Sequence, residues 1–102
     1  MRPNNRRMSN TTPNAEVLQG TVTPTNAGAL TALVAEKTLV RSVLIAAHND
    51  NEAVVKVGYR TESPVMDAPF SLPPIEGKWY DLNKVVLLTS VDGDKVNYIA
   101  TR

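Results

Sequence analysis

Two β-branched runs, Val85–Val91 (VVLLTSV) and Asp94–Ala100 (DKVNYIA), flank the dipeptide Asp92-Gly93. Both residues of that dipeptide tolerate positive φ, which suits a two-residue turn between antiparallel strands. The stretch is expected to form a hairpin, and it commits the chain to β structure. Thr38–Ala47 (TLVRSVLIAA) and Ala53–Tyr59 (AVVKVGY) enclose the Asn/Asp-rich loop His48–Glu52 and are read as a second hairpin. Val17–Thr23 ends at Pro24, before turn chemistry at Thr25–Gly28. Ala29–Ala35 has an ambiguous period and is taken as a strand. Pro64 and Pro69 exclude a central strand between Arg60 and Pro69. Phe70–Leu72 reads as a short edge strand before Pro73-Pro74, and Gly77 turns the chain into Lys78–Leu82. Seven or eight short strands with no convincing helix predict an antiparallel β-sandwich or jelly-roll-like barrel.

Strand alternation suggests which faces are covered. In the Val85 run, Val85, Leu87, Thr89 and Val91 share one face, while Val86, Leu88 and Ser90 share the other. Around Arg41–Ala47, Val43, Ile45 and Ala47 oppose Leu44 and Ala46. A sheet covered on one side only has a polar second face. Here that second face is half apolar, so loops or another subunit must cover it, and Leu44 and Leu88 are candidate partner-binding residues.

Residues 1–15 (MRPNNRRMSNTTPNA) have no periodicity and only Met1 and Met8 as large apolar groups. Such a segment cannot bury enough surface to offset its ordering entropy alone. It is expected to be an extended N-terminal arm that a neighbouring subunit holds, leaving 16–102 as one β-sandwich domain. Arg2, Arg6 and Arg7, with no acid, make the arm basic. Residues 16–102 carry 8 basic and 10 acidic side chains, so the body is mildly acidic. Three arginines without interleaved aromatics favour docking on protein over nucleic acid.

Little reactive chemistry is on offer. Cysteine is absent, which excludes thiolate catalysis, disulfides and cysteine-ligated metals. The single histidine, His48, sits in a loop and is read as a turn residue rather than a general base. Asp50 with Glu52, and Asp92 with Asp94, supply too few oxygens for a hard cation and are read as turn chemistry. Trp79 and Tyr80 fall on opposite sides of a strand, so one is expected in the core and the other outside. No nucleophile elbow or phosphate loop appears. The chain is therefore expected to be no enzyme and to need no cofactor or metal. No apolar run approaches the roughly 20 residues of a membrane span, and no signal-peptide core is present, so synthesis in a cytoplasm is expected.

Three segments together carry a resemblance. Val40–Tyr59 (VRSVLIAAHNDNEAVVKVGY), Leu72–Lys78 (LPPIEGK) and Asp81–Ala100 (DLNKVVLLTSVDGDKVNYIA) resemble the small head-decoration, or cement, proteins of tailed phages. The fixed points are Asn51, Gly58, Leu82, Gly93 and Tyr98, spread over about 60 of the 102 residues. An inserted Pro-Pro-Ile before Gly77 departs from the pattern, and residues 1–15 are not part of it. The resemblance implies a bacteriophage virion structural protein that binds the major capsid protein, stabilises the head and sits on the capsid surface. It would be made in the host bacterium, as a homo-oligomer, with a trimer or a bridging monomer both compatible. A neck or tail accessory protein, or a carbohydrate- or cell-surface-binding sandwich using Trp79 or Tyr59, are the rival expectations.

Overall fold

A computed structural model describes residues 16–102. The fold is all-β, with antiparallel sheets packed as a sandwich and one short 3-10 turn. The strands are β1 (Val17–Val22), β2 (Thr31–Ala32), β3 (Leu39–Val40), β4 (Ser42–Ala47), β5 (Lys56–Tyr59), β6 (Met66–Asp67), β7 (Phe70–Leu72), β8 (Tyr80–Asp81), β9 (Val85–Leu88) and β10 (Val96–Thr101). The first sheet has the order β1-β10-β4-β7 and the second β2-β9-β5-β6, while β3 and β8 form a small third sheet. There are more strands than expected because β2, β3, β6 and β8 span two residues each. The proline-bearing segment 60–69 does contain a strand, β6, but at a sheet edge, where proline does no harm.

Neither expected hairpin forms. β9 pairs with β2 and β5 in the second sheet, whereas β10 pairs with β1 and β4 in the first. β4 and β5 are likewise in different sheets. Both loops therefore carry the chain across the sandwich. Gly93 does adopt positive φ, at 92°, but a left-handed residue serves any sharp reversal and does not choose the strands that pair.

Crossing is what the core rewards. Val43 and Ile45 on β4 and Val96 and Ala100 on β10 face Val57, Val85 and Leu87 of the second sheet, all buried. Had β9 and β10 paired side by side, their apolar faces would have lined one sheet and left the other without cover. In β4 and β9 the alternation is as expected for Val43, Ile45, Val85 and Leu87, which are buried, as is Thr89 just past β9, whereas Ala47 and Val91, expected on the same faces, are only partly buried.

Two polar side chains latch the crossing loops together. The Asn51 side chain donates to the Lys95 carbonyl at 2.7 Å and accepts from the Lys95 N–H at 2.8 Å. The buried Asp94 carboxylate accepts the N–H groups of Glu52 and Ala53 at 2.9 and 3.0 Å. Loop backbone under a sandwich end would otherwise have unmet donors, at a cost of about 1–3 kcal/mol each. At the opposite end, Asp81 caps the 3-10 turn Leu82–Lys84 and accepts from Thr38 N–H and Asn83 N–H, both at 3.0 Å. The Thr38 N–H bond leads in holding the Asp81 carboxyl below its ordinary pKa; burial opposes it, and the Asn83 bond and the Lys84 and Lys37 charges help.

Candidate docking surfaces

The outward positions of the first sheet form an uncharged face. They are Val17, Gln19 and Thr21 on β1, Asn97, Ile99 and Thr101 on β10, Ser42, Leu44 and Ala46 on β4, and Ser71 on β7. Ile99 lies directly opposite Leu44 and beside Gln19 in register. Among the described residues Val17, Leu44 and Ile99 are 54%, 46% and 45% exposed, apolar area that any covering surface would remove from water. Polar but neutral side chains share the face with them, and the Glu16–Arg102 ion pair lies at its Val17 end.

This face ends at an open edge. The Arg102 N–H bonds to the Glu16 carbonyl at 2.8 Å, which makes Glu16 and Arg102 a hydrogen-bonded pair. Antiparallel pairs alternate, so Leu18, Gly20 and Val22 bond to β10, and the N–H and C=O groups of Val17, Gln19 and Thr21 point away from it. Among the described residues no strand meets them. β1 carries no proline, no lysine and no inward charge, the usual devices against edge pairing.

Leu88 is elsewhere. The expectation put Leu44 and Leu88 on a single half-apolar face, but the structure puts them on the outer faces of opposite sheets. Leu88 helps to line a groove of about 500 Å³ with Ala27, Gly28, Val54, Lys56, Thr89 and Ser90. The partly exposed Leu88 is half of a shared surface with Val54, which is 55% exposed. Arg2, Arg6 and Arg7, the other expected partner-binding residues, lie outside the described residues.

The remaining candidates have structural tasks. Tyr80 is buried, packs edge-on against Tyr59 with ring centroids 5.7 Å apart, and donates its hydroxyl to the Pro73 carbonyl. The Tyr59 hydroxyl accepts the Asp81 N–H at 3.0 Å. Trp79 is exposed, and the Arg41 guanidinium lies 4.3 Å from its ring centroid. His48 accepts the Asp50 N–H through Nδ1 at 3.1 Å, a local turn contact. Asp92 accepts the Ala27 N–H at 2.7 Å. Among the described residues no three metal-ligating side chains group together.

Sequence reasoning passed over Val17, Ile99 and Val54. Ile99 was legible in principle, since Asn97, Ile99 and Thr101 alternate with the inward Val96, Tyr98 and Ala100. Val54 was legible in the same way, since in the expected strand Ala53–Tyr59 it alternates with Val55 and Val57, both buried, although the strand itself begins only at Lys56 and Val54 precedes it in the loop that Asn51 and Asp94 hold. No family model, curated protein or solved structure matches the chain.

Proposed function

We propose that this protein is a virion structural subunit, a capsid decoration protein that seats the outer face of its first sheet on the major capsid protein lattice. The observation that carries it is the uncharged apolar stripe Val17, Ile99 and Leu44 running to an open six-residue edge strand. An apolar centre among neutral polar side chains is the composition of an interface core. The open edge adds main-chain hydrogen bonds when a neighbouring strand extends the sheet. The likeness of three segments to phage cement proteins supplies the partner. Many modest contacts on one lattice then act together against internal pressure, which suits a small subunit.

Neck or tail accessory roles use the same surface on a different lattice. A carbohydrate-binding module is less favoured, since the Arg41 guanidinium already occupies one face of the Trp79 ring.

The test is co-pelleting with expanded, undecorated heads assembled from the capsid protein of the same genome. Wild type should saturate the heads, and Leu44→Asp should bind at least about 100-fold more weakly, as loss of an interface hot spot does. Leu44 is exposed, so the variant should fold. Unchanged head binding by Leu44→Asp, or no binding by wild type, would rule out this docking face.

A further inference from the structure

The groove beside Leu88 has an apolar floor and an acidic surround. Its wall residue Ala27 donates its N–H to Asp92, and its wall residue Lys56 is already ion-paired with Asp67. Glu52 lies two residues before Val54 on the opposite wall and is exposed. Pairing directions place the groove at the end where β4 and β9 finish and where β5 and β10 begin. That end holds Asp50, Glu52, Asp67, Asp92 and Asp94 against Lys56 and Lys95. A fitting occupant is a flexible apolar side chain next to cations.

One segment of this chain matches. In residues 1–15, Met8 follows Arg6-Arg7 directly, and no acidic residue is present. Methionine fills irregular apolar gaps well, and arginines meet carboxylates at the rim. We propose that the Leu88 groove of one copy takes Met8 of a second copy, with Arg6 and Arg7 meeting Asp92 and Glu52.

Reach favours a second copy. The segment joins the body at Glu16, which Arg102 fastens by a backbone bond and an ion pair. Glu16 precedes the start of β1, at the end of the sandwich opposite the groove. From Glu16 back to Met8 is eight residue steps, about 29 Å at full stretch. Climbing β1 takes about 17 Å, and rounding the body to the far side of the other sheet takes about 10 Å between sheet planes plus a layer of side chains on each. Docking within one copy therefore uses the whole tether at full extension. A neighbour's groove imposes no such limit.

The contact joins two different surfaces, so it repeats from copy to copy and either closes into a ring or runs on as a chain. It is independent of shell docking, because it needs no capsid.

The experiment measures mass by light scattering over a concentration series of the full chain, with a charge exchange. Arg6→Glu/Arg7→Glu alters the segment, and Glu52→Lys/Val54→Lys alters the groove at two exposed positions. Wild type should associate with rising concentration, and less so in 0.5 M salt. Each variant alone should associate at least about 10-fold more weakly. An equimolar mixture of the two should regain association, because the acidic segment of one now suits the basic groove of the other. If the groove variant does not fold, Val54→Lys alone replaces it. Wild type that stays monomeric at about 100 μM, variants that associate as wild type does, or a mixture that stays monomeric would each overturn the proposal.

Discussion

Gly58 shows how one residue fixes a local path. A Cβ there would stand 2.3 Å from the Thr61 methyl and 3.1 Å from the Pro64 Cα, because the chain folds back over the end of β5. The methyl can leave only by a rotation of Thr61 that breaks the bond its hydroxyl accepts from the Ser63 N–H, and the buried Pro64 backbone cannot shift. Gly58→Ala should therefore destabilise by about 1–3 kcal/mol, the range for overpacking. Thr61→Ser removes the methyl and keeps the hydroxyl that accepts the Ser63 N–H. In that background Gly58→Ala should cost measurably less in urea unfolding, and an equal cost would place the clash elsewhere. Asp81 acts through charge. Its folded pKa is depressed, so the stability it supplies is present above its unfolded pKa, near about 3.9, and is lost as pH falls through the lower folded value. Both of its bonds run to Oδ1, which asparagine retains. The gap in urea midpoint between wild type and Asp81→Asn should thus be open at pH 7 and narrow below about pH 4. A gap independent of pH would remove the charge from the explanation.

At the scale of elements, the loops decide the topology. Asn51 and Asp94 fasten the β4–β5 crossing to the β9–β10 crossing through four hydrogen bonds. Asn51→Ala should cost about 1–2 kcal/mol and Asp94→Ala about 2–3 kcal/mol. The double variant should fall short of the sum by at least about 0.5 kcal/mol, because either change frees the same loop. Full additivity in urea unfolding would show that the two latches are independent. This arrangement also explains what the residues alone made legible. Fold class, the inward faces of β4 and β9, and edge strand β7 all follow from local alternation and proline placement. Strand partners do not, since Asp92-Gly93 and the Asn-rich loop offer the same turn chemistry to a hairpin and to a crossing. Leu44 was legible as a surface residue by alternation alone. Its separation from Leu88 was not, because that depends on which sheet each strand joins.

At the scale of the whole molecule, no strand among the described residues pairs along the outer side of β1, and the direction of its backbone groups makes that edge testable. Thr21 points its N–H away from β10, so a proline there removes a donor the folded sandwich does not use. Leu18 points its N–H into the ladder, so a proline there breaks a bond the sandwich does use. Thr21→Pro should keep the fold, with a loss of about 1 kcal/mol or less from the Thr21–Asn97 side-chain bond and the altered φ. Leu18→Pro should cost about 3 kcal/mol or more. If a shell strand extends the sheet at β1, Thr21→Pro should bind undecorated heads about 10-fold or more weakly while its urea midpoint barely moves. Leu44→Asp tests the apolar face independently of the edge. Strong binding by Thr21→Pro together with loss in Leu44→Asp would mean that the face docks and the edge stays in water. Loss in both would mean that one partner pairs a strand along β1 and also reaches back across the face, because Ile99 on β10 and Leu44 on β4 lie two and three strand spacings, about 10 and 14 Å, from such a strand, whose own outward side chains stand beside Val17, Gln19 and Thr21.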